Sequence, residues 1–256
     1  MNPRPNFHDL RGMTEVARTF AAAVQRGDRI LLIAGPGDGA TALAQRAVGL
    51  LPDMTEDERA DVTDVQTAAR MLPEGDQADR RPFRAPHHTV SWGGMFGSTR
   101  THRDDDGDLV ARTFPGELEL ATHGVLLLGE VTEFRRSVVE GIGHHIDSST
   151  TLITVAPPCP CGMANHPRAK SRCTCTEAQL GRWVERLGRI VADLSIGCVM
   201  EVPHMTNDER AYGERCPSTQ DLLSAGSAAP CHVCSGTDTA EHQMCVQRQP
   251  TNQPRK

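Results

Sequence analysis

The sequence predicts an α/β fold, a mostly parallel sheet covered by helices on both faces, followed by a small cysteine-rich tail. Three observations carry this reading. Short runs without polar alternation, residues 30–34 and 125–128, read as strands buried on both faces. Stretches of helical period lie between such runs, the alternation that a parallel sheet requires. The apolar residues are also unevenly spread. Leu, Ile, Val and Phe make up 50 of the 256 residues, yet only Leu222, Leu223, Val233 and Val246 lie beyond position 203. The last 53 residues therefore cannot build a core of their own.

Taken in order, Val16, Phe20, Ala23 and Val24 recur near helical spacing, predicting a helix over 13–26 that Thr14 caps and Gly27 stops. A strand over 29–33 runs into the glycine-rich turn 34–39, and 41–51 returns to helical period. Thr55 and Glu58 form a capping box for a helix reaching about Leu72, where Pro73 ends it. Residues 73–124 show no sustained period and read as loop, with a short strand near 87–91; so long an irregular stretch usually carries function. Beyond it the pattern predicts a strand at 125–128, a helix at 133–141, a strand at 151–156, a helix at 176–187 and a last strand at 196–202. Residues 204–230, including Ser224 to Pro230, have the composition of a flexible linker.

With 27 basic and 33 acidic side chains the net charge is −6, so no whole-molecule field draws the chain to nucleic acid or anionic lipid. No apolar run approaches the roughly 20 residues of a membrane span, and residues 1–10 lack a signal-peptide core. The expectation is a cytoplasmic protein with no membrane partner and with reduced cysteines.

The turn Ala34-Gly35-Pro36-Gly37-Asp38-Gly39-Ala40-Thr41 sits between a strand and a helix, where backbone N–H groups and a helix end can cradle a phosphate. The P-loop pattern would place a glycine at Ala34 and a lysine at Ala40. By itself the stretch is equally an ordinary β-to-α turn. The candidate nucleotide-binding residues are Gly35, Gly37, Gly39 and Thr41.

The chain as a whole resembles the magnesium-chelatase-like AAA+ ATPases, in particular the competence-associated, ComM-like branch. The resemblance runs from about Asn6 to Pro203. It rests on Asp9 to Gly12, the glycine turn, Leu51-Pro52, the segment Arg81 to Thr89, Pro115-Gly116-Glu117, His123 to Glu130, Pro158-Cys159-Pro160-Cys161-Gly162, Cys173-Thr174-Cys175-Thr176 and Glu201-Val202-Pro203. It implies a P-loop AAA+ three-layer core, with ATP and Mg²⁺ as ligands. It also implies departures. The family's Mg²⁺-binding aspartate falls on Gly129, leaving Glu130 as the one residual catalytic candidate. The sensor asparagine falls on Pro157, and the arginine of the finger on Leu194 or Ser195. A hairpin between Asp147 and Thr151, and the helical lid after Pro203, are missing. The lysine contact is worth about 1.5–3 kcal/mol, or roughly ten- to hundredfold in affinity, and a finger about 10³–10⁵ in rate. The expectation is a degenerate module that binds nucleotide weakly or not at all, unless Arg46 or Arg84 swings in, and that acts by binding or regulation. Thr41 and Glu130 are as consistent with a helix cap and a solvated carboxylate as with ligands.

Cys159-x-Cys161 and Cys173-x-Cys175 bracket eleven residues and can supply four thiolates to one tetrahedral Zn²⁺, with Arg168, Lys170 and Arg172 offsetting the charge. Four free thiols are the alternative. In the tail, Cys231-x-x-Cys234 and His242-x-x-Cys245 could form a Cys₃His site, with His232 as a substitute ligand, or belong to a disordered tail. Cys198 reads as a buried strand residue and Cys216 as a thiol in the linker. His87 and His88, adjacent in an extended segment, should point to opposite faces. The domain expectation is thus an AAA+ domain over 1–203, a linker over 204–230 and a zinc-binding tail over 231–256. The partner expectation is an intact AAA+ paralogue. The rival is an ATP-binding relative active in DNA processing, or a zinc-dependent nucleic-acid binder using Arg168, Lys170, Arg172, Arg182, Arg186 and Arg189.

Overall fold

The computed structural model describes residues 6–73, 75–103, 108–164 and 173–226. Its centre is a five-stranded sheet in the order β2-β5-β6-β1-β7, from β1 (Ile30–Ile33), β2 (Phe83–Arg84), β5 (Val125–Leu128), β6 (Thr151–Ala156) and β7 (Cys198–Glu201). Every pairing is parallel. Period two along the strands explains the unbroken apolar runs, because alternate residues feed different cores. Ile30, Leu32, Val125, Leu127 and Ile153 enter one core, with Phe7, Phe20 and Leu43; Leu31, Leu126, Leu128 and Leu152 enter the other, with Met95, Val138, Ile142 and Ile190. The three-layer α/β expectation holds.

The first layer is built by α1 (Thr14–Arg26), stopped by Gly27 at φ 76°, and by α2 (Ala40–Ala44). Thr14 is the first helical residue of α1, so the cap position falls on Met13, whose apolar side chain makes no cap. The helix expected over 41–51 is broken. The Arg46 guanidinium takes the Ala42 carbonyl at 2.6 Å, so the Arg46 N–H turns to Leu43 and a 3₁₀ turn follows over Ala47–Leu50. Helix α3 (Glu56–Ala68) carries the Thr55/Glu58 capping box. It stops short of Leu72, where Arg70 adopts φ 58° and the Met71 N–H reaches back to Gln66.

The irregular region is more ordered than its composition suggests. No strand forms at 87–91, where the Val90 N–H closes a turn onto His87. Instead α4 (Trp92–Phe96) leads into an antiparallel hairpin of β3 (Ser98–Arg103) and β4 (Leu109–Phe114), outside the main sheet. The other face of the sheet is covered by α5 (Arg136–His145) and α6 (Glu177–Asp193). Helix α6 starts at its Thr176/Gln179 capping box and runs six residues past Leu187.

The stretch read as a linker is folded as far as Gly226. It carries α7 (Asn207–Tyr212) and α8 (Thr219–Ala225), and Met205, Cys216 and Leu222 are buried in the first core. These few apolar residues suffice because they join an existing core. Cys216 is accordingly a core residue and not a thiol in a linker. The described residues contain no helix long and apolar enough to cross a membrane.

Candidate functional site

Parallel strands end on one edge, and ligands of open α/β sheets bind outside that edge. The segments after β1, β5, β6 and β7 leave there, and with them come the glycine turn, Glu130, the first cysteine pair and His204.

The glycine turn is a β-turn in which the Asp38 N–H donates to the Gly35 carbonyl at 3.1 Å, with Pro36 and Gly37 in the middle and Gly37 at φ 83°. Proline second and a left-handed glycine third define type II. Gly39, at φ 91°, then caps α2 without a side chain. Ala40, at the lysine position, is 5 % exposed, while Thr41 is exposed. Asp38 is 4 % exposed, and three groups converge on its carboxylate. Its Oδ2 accepts the Gly35 N–H at 2.8 Å, its Oδ1 accepts His204 Nδ1–H at 2.6 Å, and Arg210 Nη2 lies 3.8 Å from Oδ1. A carboxylate only accepts here, so Nδ1 of His204 carries the proton. Sequence reasoning missed His204 and Arg210; they are 166 and 172 positions from Asp38, and no local pattern marks them.

The two arginines weighed as substitutes for a lysine at position 40 are engaged elsewhere. Arg46 donates to the carbonyls of Asn6 and Ala42. Arg84 forms a two-pronged pair with Glu117, both contacts at 2.7 Å. Arg81 is likewise held by Glu58 and by the carbonyls of Pro52 and His123. Arg81 and Arg84 are thus both engaged in intramolecular ion pairs.

Glu130 follows β5 in a left-handed conformation, φ 54°, with its side chain 68 % exposed and accepting from His88 Nδ1 at 3.2 Å. A Cβ added at Gly129 would have no atom within 4 Å. His87 and His88 stack with ring centroids 4.0 Å apart, because the segment turns instead of extending. Their Nδ1 atoms go to different partners, Thr89 and Glu130.

After β6 the chain forms a cysteine knuckle. The sulfurs of Cys159, Cys161, Cys173 and Cys175 all lie within 4.8 Å of one another, with Cys159–Cys161, Cys161–Cys173 and Cys159–Cys173 at 3.4, 3.6 and 3.9 Å. A tetrahedron with metal–sulfur bonds of about 2.3 Å has edges of about 3.8 Å, so the donor set can hold a metal ion. Gly162, at φ 74°, lets the knuckle close, and the Ala164 N–H donates to Cys159 Sγ. The Met163 backbone N–H, helped by neighbouring thiols, lowers the Cys161 thiol to about 6. Desolvation pushes Cys175 up to about 12. The knuckle rests on the glycine turn: a Cβ at Gly162 would stand 3.0 Å from Pro36 Cδ. Arg168, Lys170, Arg172, and the tail ligands Cys231, Cys234, His242 and Cys245 with His232, lie outside the described residues. Arg182, Arg186 and Arg189 are exposed on α6, interleaved with Glu185 and Asp193.

A family model described as magnesium chelatase, subunit ChlI, matches residues 6–210. Competence protein ComM of Haemophilus influenzae is 33 % identical over 148 residues, 58 % of this chain and 27 % of that protein. The uncharacterized protein YifB of Escherichia coli is 30 % identical over 241 residues, 86 % of this chain and 44 % of YifB. The chain thus spans less than half the length of these curated relatives. Among known structures, a cryo-EM-based BchI–BchD complex of magnesium chelatase is 15 % identical with a TM-score of 0.45, over 86 % of this chain and 69 % of that one. NtrX from Brucella abortus in complex with ADP is 16 % identical with a TM-score of 0.37, over 72 % and 34 %.

Proposed function

The chain belongs to the magnesium chelatase subunit ChlI family, on its ComM and YifB branch of AAA+ proteins, and from that premise we propose that it is a nucleotide-site-impaired member acting as a binding or regulatory module. The observation that carries the proposal is Ala40, a buried methyl group where the family's phosphate-binding lysine would stand. The engagement of Arg46 and Arg84 elsewhere supports it, as do Gly129 at the Mg²⁺ aspartate and Pro157 at the sensor asparagine. Losing the lysine contact costs roughly ten- to hundredfold in affinity; losing the metal aspartate and finger removes the means of stabilising transferred charge. Gly35, Gly37, Gly39 and Thr41 then provide at most a weak nest, and Glu130 has no activated water to orient. The partner this reading favours is an intact AAA+ paralogue, which would supply the turnover.

In the same reading the ion of the cysteine knuckle is zinc, which prefers four thiolates in tetrahedral geometry and would fix the knuckle on the glycine turn. Calorimetric titration with ATP, with and without Mg²⁺, together with a phosphate-release assay and metal analysis of one preparation, tests the proposal. Expected are affinity no tighter than the millimolar range, no steady release, and bound zinc. Steady release that Glu130→Gln abolishes would overturn it.

A further inference from the structure

The glycine turn contains an anion of its own. Asp38 is buried, and what converges on it is a backbone N–H, an imidazole N–H and a guanidinium, the kinds of donor that recognise a phosphate oxygen. The guanidinium of Arg210 also lies over the turn, its Nη1 4.0 Å from the point a Cβ of Gly37 would occupy. Both cationic-type donors come from the segment after β7. The far end of that segment is seated independently of Asp38: the Gly12 N–H donates to Glu214, Arg11 Nη1 to the Gly213 carbonyl and the Cys216 N–H to Leu10.

We propose that Asp38 is the specificity-determining residue of the turn, a built-in carboxylate that takes His204, Arg210 and the Gly35 N–H in place of a polyphosphate. The inference deepens the impaired-site reading and rests on it: the missing lysine weakens attraction for a phosphate chain, and Asp38 adds direct competition for the remaining donors. A phosphate arriving at the turn meets a negative charge and two side chains already engaged by it. Neutralising the carboxylate removes the charge that holds Arg210 and opposes an incoming anion, without altering the type II turn, since an asparagine oxygen can still accept the Gly35 N–H.

The test uses the full chain, with inorganic pyrophosphate and ATP as probes in calorimetric titrations of wild type and Asp38→Asn. In parallel, hydrogen exchange is followed over residues 204–216. Asp38→Asn should bind pyrophosphate at least tenfold tighter than wild type. Amides of 204–210 should exchange faster, while those of 213–216, held by their own backbone bonds, stay protected. A folded Asp38→Asn protein with no gain in pyrophosphate affinity overturns the inference and leaves the impaired-site reading standing; tight ATP binding by wild type overturns that reading instead. If Asp38→Asn does not fold, Arg210→Gln decides. It should speed exchange over 204–210 with no gain in affinity, and unchanged exchange there sinks the proposal.

Discussion

At the scale of single residues, close packing singles out positions where one methyl group decides the outcome. A Cβ on Gly143 of α5 would run into the Asp193 carbonyl at the end of α6. Gly143→Ala should therefore part these helices and cost about 1–3 kcal/mol, the usual range for overpacking, measurable by urea unfolding. The cysteine knuckle makes a second prediction. Cys161→Ser should cost the protein its metal by elemental analysis and lower the melting temperature, whereas Cys198→Ser, in the strand core, should destabilise without changing metal content. The cysteine pairs were legible because each is local in sequence. Asp38 with His204 and Arg210 was not, because that site exists only once β1 and β7 lie side by side.

Among the elements, the Thr55/Glu58 capping box was legible; boxes of the same three-residue spacing at Thr176, Thr206 and Ser218 were not, the last two because they lie in the stretch whose composition reads as linker. At the first of these the Thr55 N–H, then the Arg81 guanidinium, holds the Glu58 carboxyl below its ordinary 4.5; Thr206 does likewise for Glu209, and Ser218 for Asp221. A depressed folded-state value means stability that is complete above the unfolded value and fades as pH falls through the folded one. Melting temperature should accordingly drop as pH is lowered from 5 toward 3 (~1–2 units spanning the carboxylate range), and Glu58→Gln should flatten part of that fall. Thr55→Ala should cost about 0.5–2 kcal/mol. The hairpin β3–β4 escaped the sequence reading because Ser98 to Arg103 is polar on both faces, so its period is hidden, and cross-strand hydrogen bonding rather than burial defines it. The end of α2 escaped for a different reason, a side chain outcompeting a backbone N–H for one carbonyl.

For the whole molecule, the sheet apart from its edge strand β2, and the apolar cover on both its faces, were legible because unbroken apolar runs admit no arrangement that leaves a face wet. The ordered stretch after β7 was not, since composition averaged over many residues conceals three well-placed anchors, Met205, Cys216 and Leu222. Truncation after Pro203 should for that reason expose part of the first core and yield a protein that aggregates or melts at lower temperature, read by light scattering and calorimetry. One detail of the sheet edge bears on tolerance. A Cβ placed at Gly129 would meet no atom within 4 Å beyond its chain neighbours, so crowding puts no bar on a side chain at the first position after β5.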